Sequence, residues 1–278
     1  MNTPVTERAR GNIPLLLALS AFLIHAVTNW MHVYDFFRDE FYYIACSNHL
    51  DWGYVDQPPL SIAALWLNRK ILGDSLFALR FPTAVASAAL VYLTALIVKE
   101  LGGGRKAQAL VCLSIIIAPI YLILDDFYSM NAFELLFWTG AALILIRILN
   151  TGNQKLWLLF GLIAGFGLQN KHSMAFFGLS IVVGLLLSRH RKHFSGKWIW
   201  LGGAIAALIF MPNLIWQATH GWASLEFMQN AQRLKSPHLS ILGFLLNQVL
   251  FQHPVALPLW AIGLVALFAH KEFTTYRP

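Results

Sequence analysis

Long apolar runs separated by short polar loops leave this chain few ways to fold. They lie near residues 13–31, 76–98, 107–124, 132–149, 156–169, 172–188, 198–217 and 243–269. A bilayer core about 30 Å thick is crossed by about 20 apolar helical residues. In lipid every backbone polar group must be satisfied within the segment, so runs of this length are helices. The pattern predicts an all-α, polytopic integral membrane protein with about eight transmembrane helices. Composition agrees. Hydrophobic residues make up 58% and charged residues 12%, against roughly 45–50% and about 25% in soluble domains. The run at 156–169 is short, rising about 21 Å at about 1.5 Å per residue. Its Gly161, Gly165 and Gly167 suit close helix packing. The last region holds Pro254 and Pro258 and reads as an interfacial helix followed by a span. No small-residue cleavage site follows the first run, so it reads as an uncleaved helix.

The cations set a direction. Arg8, Arg10, Lys99, Arg105, Lys106, Arg147, Lys155, Arg189, Arg191, Lys192, Lys197, Lys271 and Arg277 fall on one side of the eight-span arrangement. The positive-inside rule makes that side, with the N-terminus, cytoplasmic. Asp35, Asp39, Glu40, Asp51, Asp56, Asp74, Asp125, Asp126 and Glu226 fall on the other side. The expected location is the plasma (inner) membrane, with the first loop facing the periplasm or exterior. The net charge of +7 does not point to nucleic acid, because the cations lie in short loops with no basic face or stacking platform. Cys46 and Cys112 make no disulfide framework. Gly102-Gly103-Gly104 lacks the setting and the Lys-Ser/Thr of a phosphate loop. His25, His32, His49, His220 and His253 lack zinc-ligand spacing.

The first outer loop, residues 32–75, concentrates the charge. Five carboxylates crowd into its stretch before Pro58: Asp35, Asp39, Glu40, Asp51 and Asp56. Carboxylates at a membrane surface need water, a metal, a base role or a cation partner. Residues 39–50 read as a short amphipathic helix, and Pro58-Pro59 starts a second over 59–72. Two such helices on the surface would roof a cavity between the spans.

Asp39 and Glu40 admit several readings. Asp39 is placed to accept a proton from an acceptor hydroxyl, or the pair to hold a divalent metal. Neighbours on a helix point about 100° apart, which disfavours one metal on both. The plain alternative is a helix start capped by Asp39. Asp56-Gln57-Pro58-Pro59 is a turn into a helix or a stiff loop holding Asp56 or Gln57 over the cavity. Asp125-Asp126 and Ser129-Met130-Asn131 link the third and fourth spans. They read as a capped turn or as a second polar contribution to the cavity. Lys171, between two short apolar runs, is costly below the membrane surface unless an anion compensates it, and a phosphate would serve. Its plain alternative is snorkelling to the headgroups. Arg80 is a similar, weaker candidate.

An ordered set of motifs runs along nearly the whole chain. It comprises Arg38-Asp39-Glu40-Phe41-Tyr42-Tyr43, Asp56-Gln57-Pro58-Pro59-Leu60, Arg80-Phe81-Pro82 and Asn131-Ala132-Phe133-Glu134-Leu135-Leu136-Phe137-Trp138. Gly165-Phe166-Gly167-Leu168-Gln169-Asn170-Lys171 and Pro212-Asn213-Leu214-Ile215-Trp216 complete it. This set resembles the polyprenyl-phosphate-sugar glycosyltransferases of the GT-C superfamily, and glycosyltransferase family 39 within it. That family includes protein O-mannosyltransferases, aminoarabinose lipid A transferases and lipid A galacturonosyltransferase-like proteins.

The resemblance implies an inverting glycosyltransferase. A sugar would move from a polyprenyl-phosphate donor to an envelope lipid, glycan or protein hydroxyl at the outer face of the bilayer. Asp39 matches the family's acidic residue as base or orienting group, and Glu40 matches its neighbour. Lys171, with Arg80, would face the donor phosphate. Asp56, Gln57, Asp126 and Asn131 would line the substrate cavity. Gln57 stands where some relatives carry lysine, and Asn131 where many carry a second aspartate. The second departure leaves open whether a divalent cation takes part. Members usually run well beyond 278 residues, so the expectation is one GT-C-type domain over 1–278 with an incomplete C-terminal part. The rival classes are a transporter or flippase of lipid-linked substrates, and a catalytically silent relative. A transporter would carry polar residues near mid-membrane on broken spans, whereas spans two, three and four read as nearly free of them.

Overall fold

The structure, a computed structural model, describes residues 12–234 and 239–277. Arg8 and Arg10 of the expected cytoplasmic set lie outside the described residues. Thirteen α-helices are present among the described residues, and no strand. Four are long and apolar enough to cross a bilayer unbroken: α1 (Ile13–Trp30), α4 (Leu76–Glu100), α7 (Met130–Thr151) and α10 (Lys197–Thr219). Three further regions pass only as bent pairs. α5 (Arg105–Ile117) and α6 (Pro119–Asp125) meet at 63°, and α9 (Met174–Leu187) meets a 3-10 turn over Arg189–Ser195 at 109°. α12 (Ile241–Phe251) meets residues Pro254–Ala269, which include α13 (Leu257–Ala269), at 95°. α8 (Leu156–Asn170) is apolar but only 15 residues long. Every expected apolar run is therefore a helix or a broken helix, and four to seven of them have the length and composition of spans. This is an all-α, multi-pass membrane protein.

The breaks have local causes. Pro119 opens α6, and the residue before a proline is pushed out of the α region. Ala118 accordingly sits at ψ 123°. Pro254 follows His253, whose φ is +70°. Pro82 lies inside α4 and supplies no N–H to the carbonyl of Ala78 four residues back. Asn68 Nδ2 takes that carbonyl at 2.6 Å. Asn68 belongs to α3 (Leu60–Leu72), so the freed acceptor ties an outer-loop helix to a span.

Packing runs α1–α4–α7–α8–α10 as a chain of neighbours, with α5 against α4 and α1. α8 and α10 touch backbone to backbone. A Cβ on Gly161 would lie 2.1 Å from the Gly202 carbonyl oxygen, and one on Gly202 would lie 2.3 Å from that of Trp157. Small residues allow such approach where lipid offers no hydrophobic drive to associate.

Side-chain contacts define two ends. At one, Arg147 pairs with Glu100 at 2.8 Å, and Tyr276 donates to Asn150 at 2.5 Å. There too Arg189 donates to Thr275 at 2.9 Å. The other end carries α2 (Arg38–Ser47), α3 and α11 (Ala223–Leu234). α2 and α3 match the two helices expected in the first loop.

Gly161→Val should lower the thermal unfolding temperature in detergent, at a cost of about 1–3 kcal/mol or more from overpacking. Gly184→Val, whose Cβ meets nothing within 4 Å, should stay near wild type. Equal behaviour of the two variants would contradict the backbone contact.

Candidate active site

The loop between α1 and α4 is anchored by a charge pair buried almost completely. Glu40 is 0% and Arg80 1% exposed. Arg80 Nε donates to Glu40 Oε1 at 2.8 Å, and Nη2 to Oε2 at 2.7 Å. The remaining guanidinium hydrogens go to Tyr34 O at 3.1 Å, Asp35 O at 2.9 Å and Asn29 Oδ1 at 3.4 Å. An arginine has five N–H donors, and all five are engaged. Glu40 is equally committed, accepting from Phe37 N at 2.8 Å and from Tyr128 N at 2.7 Å. The pair thus joins α1, the start of α2, α4 and the turn before α7. Arg80, expected to face a donor phosphate, has no free donor in this arrangement. Glu40, expected beside the chemistry, faces the core.

Asp39 points elsewhere. Its side chain is 48% exposed, and its ionic partner is its neighbour Arg38, Nε to Oδ1 at 3.0 Å. The N-cap of α2 is Phe37 rather than Asp39, so Asp39 lies in the first turn, where a carboxylate favours the helix's positive end. The step of about 100° between helical neighbours explains why Glu40 is buried and Asp39 is not.

Three tyrosines organise what surrounds it. Tyr42 donates to Asp56 at 2.7 Å. Burial, then the bond to Asp56, pushes the Tyr42 phenol well up, so it stays a proton donor to that carboxylate. Tyr43 is buried, and its hydroxyl accepts from the amide of Met130 at 2.9 Å. Its phenol is also pushed up, chiefly by burial, with Asp56 and Asp39 both near enough to contribute. Tyr128 packs edge-on against Tyr43 and donates to Ser61 O at 2.6 Å. Tyr43 thus lies one helical turn beyond Asp39 on α2 and next to Tyr42, which holds Asp56.

Met130 leads into the second polar group. Lys171 Nζ donates to Asn131 Oδ1 at 2.7 Å and to Glu134 Oε2 at 2.6 Å. The Ser173 hydroxyl donates to the other oxygen of Glu134. Lys171 is 29% and Glu134 17% exposed in their side chains. An ammonium has three hydrogens, and two are taken. The anion that compensates Lys171 within the chain is thus Glu134, which the sequence reading quoted without assigning a role. A glutamate inside an apolar run was itself the signal. With Arg80 at the head of α4, it corrects the expectation that spans two and four are nearly free of polar residues.

The other expected cavity residues separate. Asp126 accepts from Thr28 at 3.2 Å, its carboxylate lies 3.9 Å from His25 Nδ1, and it lines a cavity of about 660 Å³ between α1 and α6. Asp125 is buried beside His25 and Ser87. Gln57 is fully buried and accepts from Ser61 at 3.4 Å. The expected roofed space exists as a second cavity, of about 610 Å³. It lies under Leu50–Trp52, Pro59, Leu60 and Ala63, against Phe166, Gln169 and Ile209. Asn213 donates to Trp52 O at 2.9 Å, and Ser224 to Tyr54 O at 3.1 Å. The roof is therefore pinned to α10 and α11. The alternative of Ser129 as a cap holds, since its hydroxyl accepts from Asn131 N at 3.3 Å.

The fold is all-α and multi-pass, with an acid-rich loop and a lysine held at the same end, and the sequence matches place it with GT-C-type glycosyltransferase-like proteins. The chain belongs to the dolichyl-phosphate-mannose-protein mannosyltransferase family, whose profile matches residues 56–216, more than half of its length. Among curated proteins, the lipid A galacturonosyltransferase RgtD of Rhizobium johnstonii is 24% identical over 219 residues. That match covers 78% of this chain and 46% of the relative, so the chain spans about half the length of the relative it matches. No solved structure matches.

Removing one partner of a buried pair leaves the other charge uncompensated. Arg80→Met should destabilise the protein by about 3–5 kcal/mol. Asp39→Asn, at a half-exposed carboxylate, should shift the melting temperature little. Comparison of the two melting temperatures in detergent checks this, and a stable Arg80→Met protein would contradict the anchor.

Proposed function

We propose that this chain carries the catalytic part of an inverting glycosyltransferase. It moves a sugar from a polyprenyl-phosphate donor to a hydroxyl of an envelope lipid, glycan or protein. The reaction face is the end bearing α2 and α3, at the outer (periplasmic or exterior) surface of the inner membrane, with the N-terminus cytoplasmic. The observation that carries this reading is the junction at Tyr43. Tyr43 lies one helical turn from Asp39 on α2 and next to Tyr42, which holds Asp56, while its hydroxyl meets the Met130 amide next to Asn131, which holds Lys171. A half-exposed carboxylate, paired only with its neighbour Arg38, and a cation are thereby held on one connected frame.

The roles follow from what each side chain has left to give. Asp39 takes the proton of the acceptor hydroxyl. The hydroxyl oxygen bonds to the anomeric carbon while the bond from that carbon to the phosphate oxygen breaks, and polyprenyl phosphate leaves with the electron pair. Attack opposite the leaving group inverts the centre. The third hydrogen of Lys171 meets the phosphate, and Asn131 and Glu134 hold the ammonium in place. Preorganised charge at the leaving group supplies the larger part of the barrier reduction. Asp56 and Tyr42 line the approach. Glu40 and Arg80 hold the loop and touch no substrate, and Gln57 and Asp126 act as supports at its edges. Among the described residues no three His, Cys, Asp or Glu side chains are grouped to hold a metal.

The chain in nanodiscs, given radiolabelled polyprenyl-phosphate sugars, should transfer or slowly hydrolyse the donor. Asp39→Asn should cut turnover about 10²–10⁴-fold, the usual range for loss of a general base. Lys171→Met should raise the KM for the donor. Full activity in Asp39→Asn would remove Asp39 from the chemistry. Movement of lipid-linked sugar across the bilayer without transfer would favour a transporter, and neither activity in folded protein would favour a silent relative.

A further inference from the structure

A third cavity, of about 270 Å³, runs along α9 from Leu168 and Met174, close to Lys171, to a far end at Leu185 and Phe194. It is a wedge between α9 and the α8–α10 pair. Its lining is apolar throughout, with Trp157, Phe160, Ile181, Phe194 and Trp200 as the large members. Four glycines also line it, and they divide sharply. Gly161 and Gly202 are explained by the contact between α8 and α10. Gly178 and Gly203 are not, because a Cβ on either would meet nothing within 4 Å. Glycine inside a helix is costly relative to alanine, and no neighbouring protein atom accounts for these two.

The end of the wedge is basic. Lys155 and Lys197 both lie over the ring of Trp198, at 6.0 and 5.2 Å. Trp198 packs on the same core as Trp157, Phe160 and Phe194. Arg189, Arg191 and Lys192 sit on the adjoining 3-10 turn. Among the described residues none of these five cations pairs with a carboxylate. A wedge open to lipid, floored by glycine and ending in unpaired cations, matches a molecule with an alkyl chain and a phosphate. We propose that it binds one anionic glycerophospholipid of the adjacent leaflet. An acyl chain would lie over Gly178 and Gly203, with the headgroup phosphate between Lys155, Lys197 and the Arg191–Lys192 turn. The lysine stems reach up to that headgroup level. Basic segments beside a span attract anionic lipid, and the apolar wedge turns that diffuse attraction into a site. This inference does not depend on the proposed sugar transfer.

Native mass spectrometry of the whole chain, ejected from nanodiscs of equimolar phosphatidylglycerol and phosphatidylcholine, tests it. One retained phosphatidylglycerol is expected, favoured at least about fivefold, the preference that one basic residue near the surface confers. Gly203→Leu fills the wedge and should abolish retention of either lipid, and Gly178→Leu gives the same reading if the first variant does not fold. Gly184→Leu, at a glycine outside the cavity lining, should retain the lipid. Lys155→Gln with Lys197→Gln should remove the headgroup preference while leaving chain binding. Equal retention of the two lipids by wild type, or retention unchanged in folded Gly203→Leu, would overturn the proposal. So would displacement of phosphatidylglycerol by an equimolar amount of polyprenyl phosphate.

Discussion

The half of this protein that carries α2 and α3 depends on one ion pair out of contact with water. Two charges removed from solvent are unfavourable unless every lone pair and proton finds a partner. Here each does. Arg80 uses five donors, and Glu40 collects two from the guanidinium and two from backbone amides. The geometry that satisfies them fixes four pieces of chain at once: the end of α1, the start of α2, the head of α4 and the turn into α7. Asp39 is held at the surface because Glu40, one residue on, is locked inward. A rigid frame with an exposed group beside it is what a site needs to keep its geometry through turnover.

The second theme is how polar groups inside an apolar bundle are satisfied. Pro82 frees a carbonyl and Asn68 takes it. Lys171 is compensated by Glu134 and steadied by Asn131, and Ser173 holds Glu134. In a bilayer, unpaired groups of this kind are not tolerated without water or a partner. These two bonds link the α2–α3 loop and the turn after α8 to the spans rather than leaving them as a loose roof. Asn131 adds a contact of a different kind. A neutral amide accepts from Lys171 without cancelling the charge that Glu134 already offsets.

Much of the fold was legible in the sequence because lipid enforces it. The apolar runs became helices at nearly the expected boundaries, and the two loop helices begin where their first-turn residues and the Pro58-Pro59 pair indicated. The breaks were less legible. Pro254 was read as a boundary, whereas Pro119 at the bend of α5 and α6 was not, since a proline inside a long apolar run carries little hydropathy signal. In the site, local sequence placed Asp39 and Glu40 together but could not say which one faces the core. That depends on Arg80, 40 residues away. Lys171 was flagged by the cost of its charge, whereas its partner Glu134 was overlooked, although an acid in an apolar run carries the same cost. Tyr43 as the junction between the carboxylates and α7 lay beyond sequence reading, because its link to Met130 is a tertiary contact between a loop helix and a span.

The account stands or falls on sugar leaving a lipid phosphate. Phosphorus-31 NMR of the nanodisc-embedded chain with a polyprenyl-phosphate sugar, combined with proton NMR of the product, reads this directly. The account predicts that the donor phosphodiester signal gives way to a phosphomonoester in step with a new glycoside of opposite anomeric configuration. An unchanged phosphodiester with folded protein and every donor, or a product that keeps the donor's configuration, would contradict it.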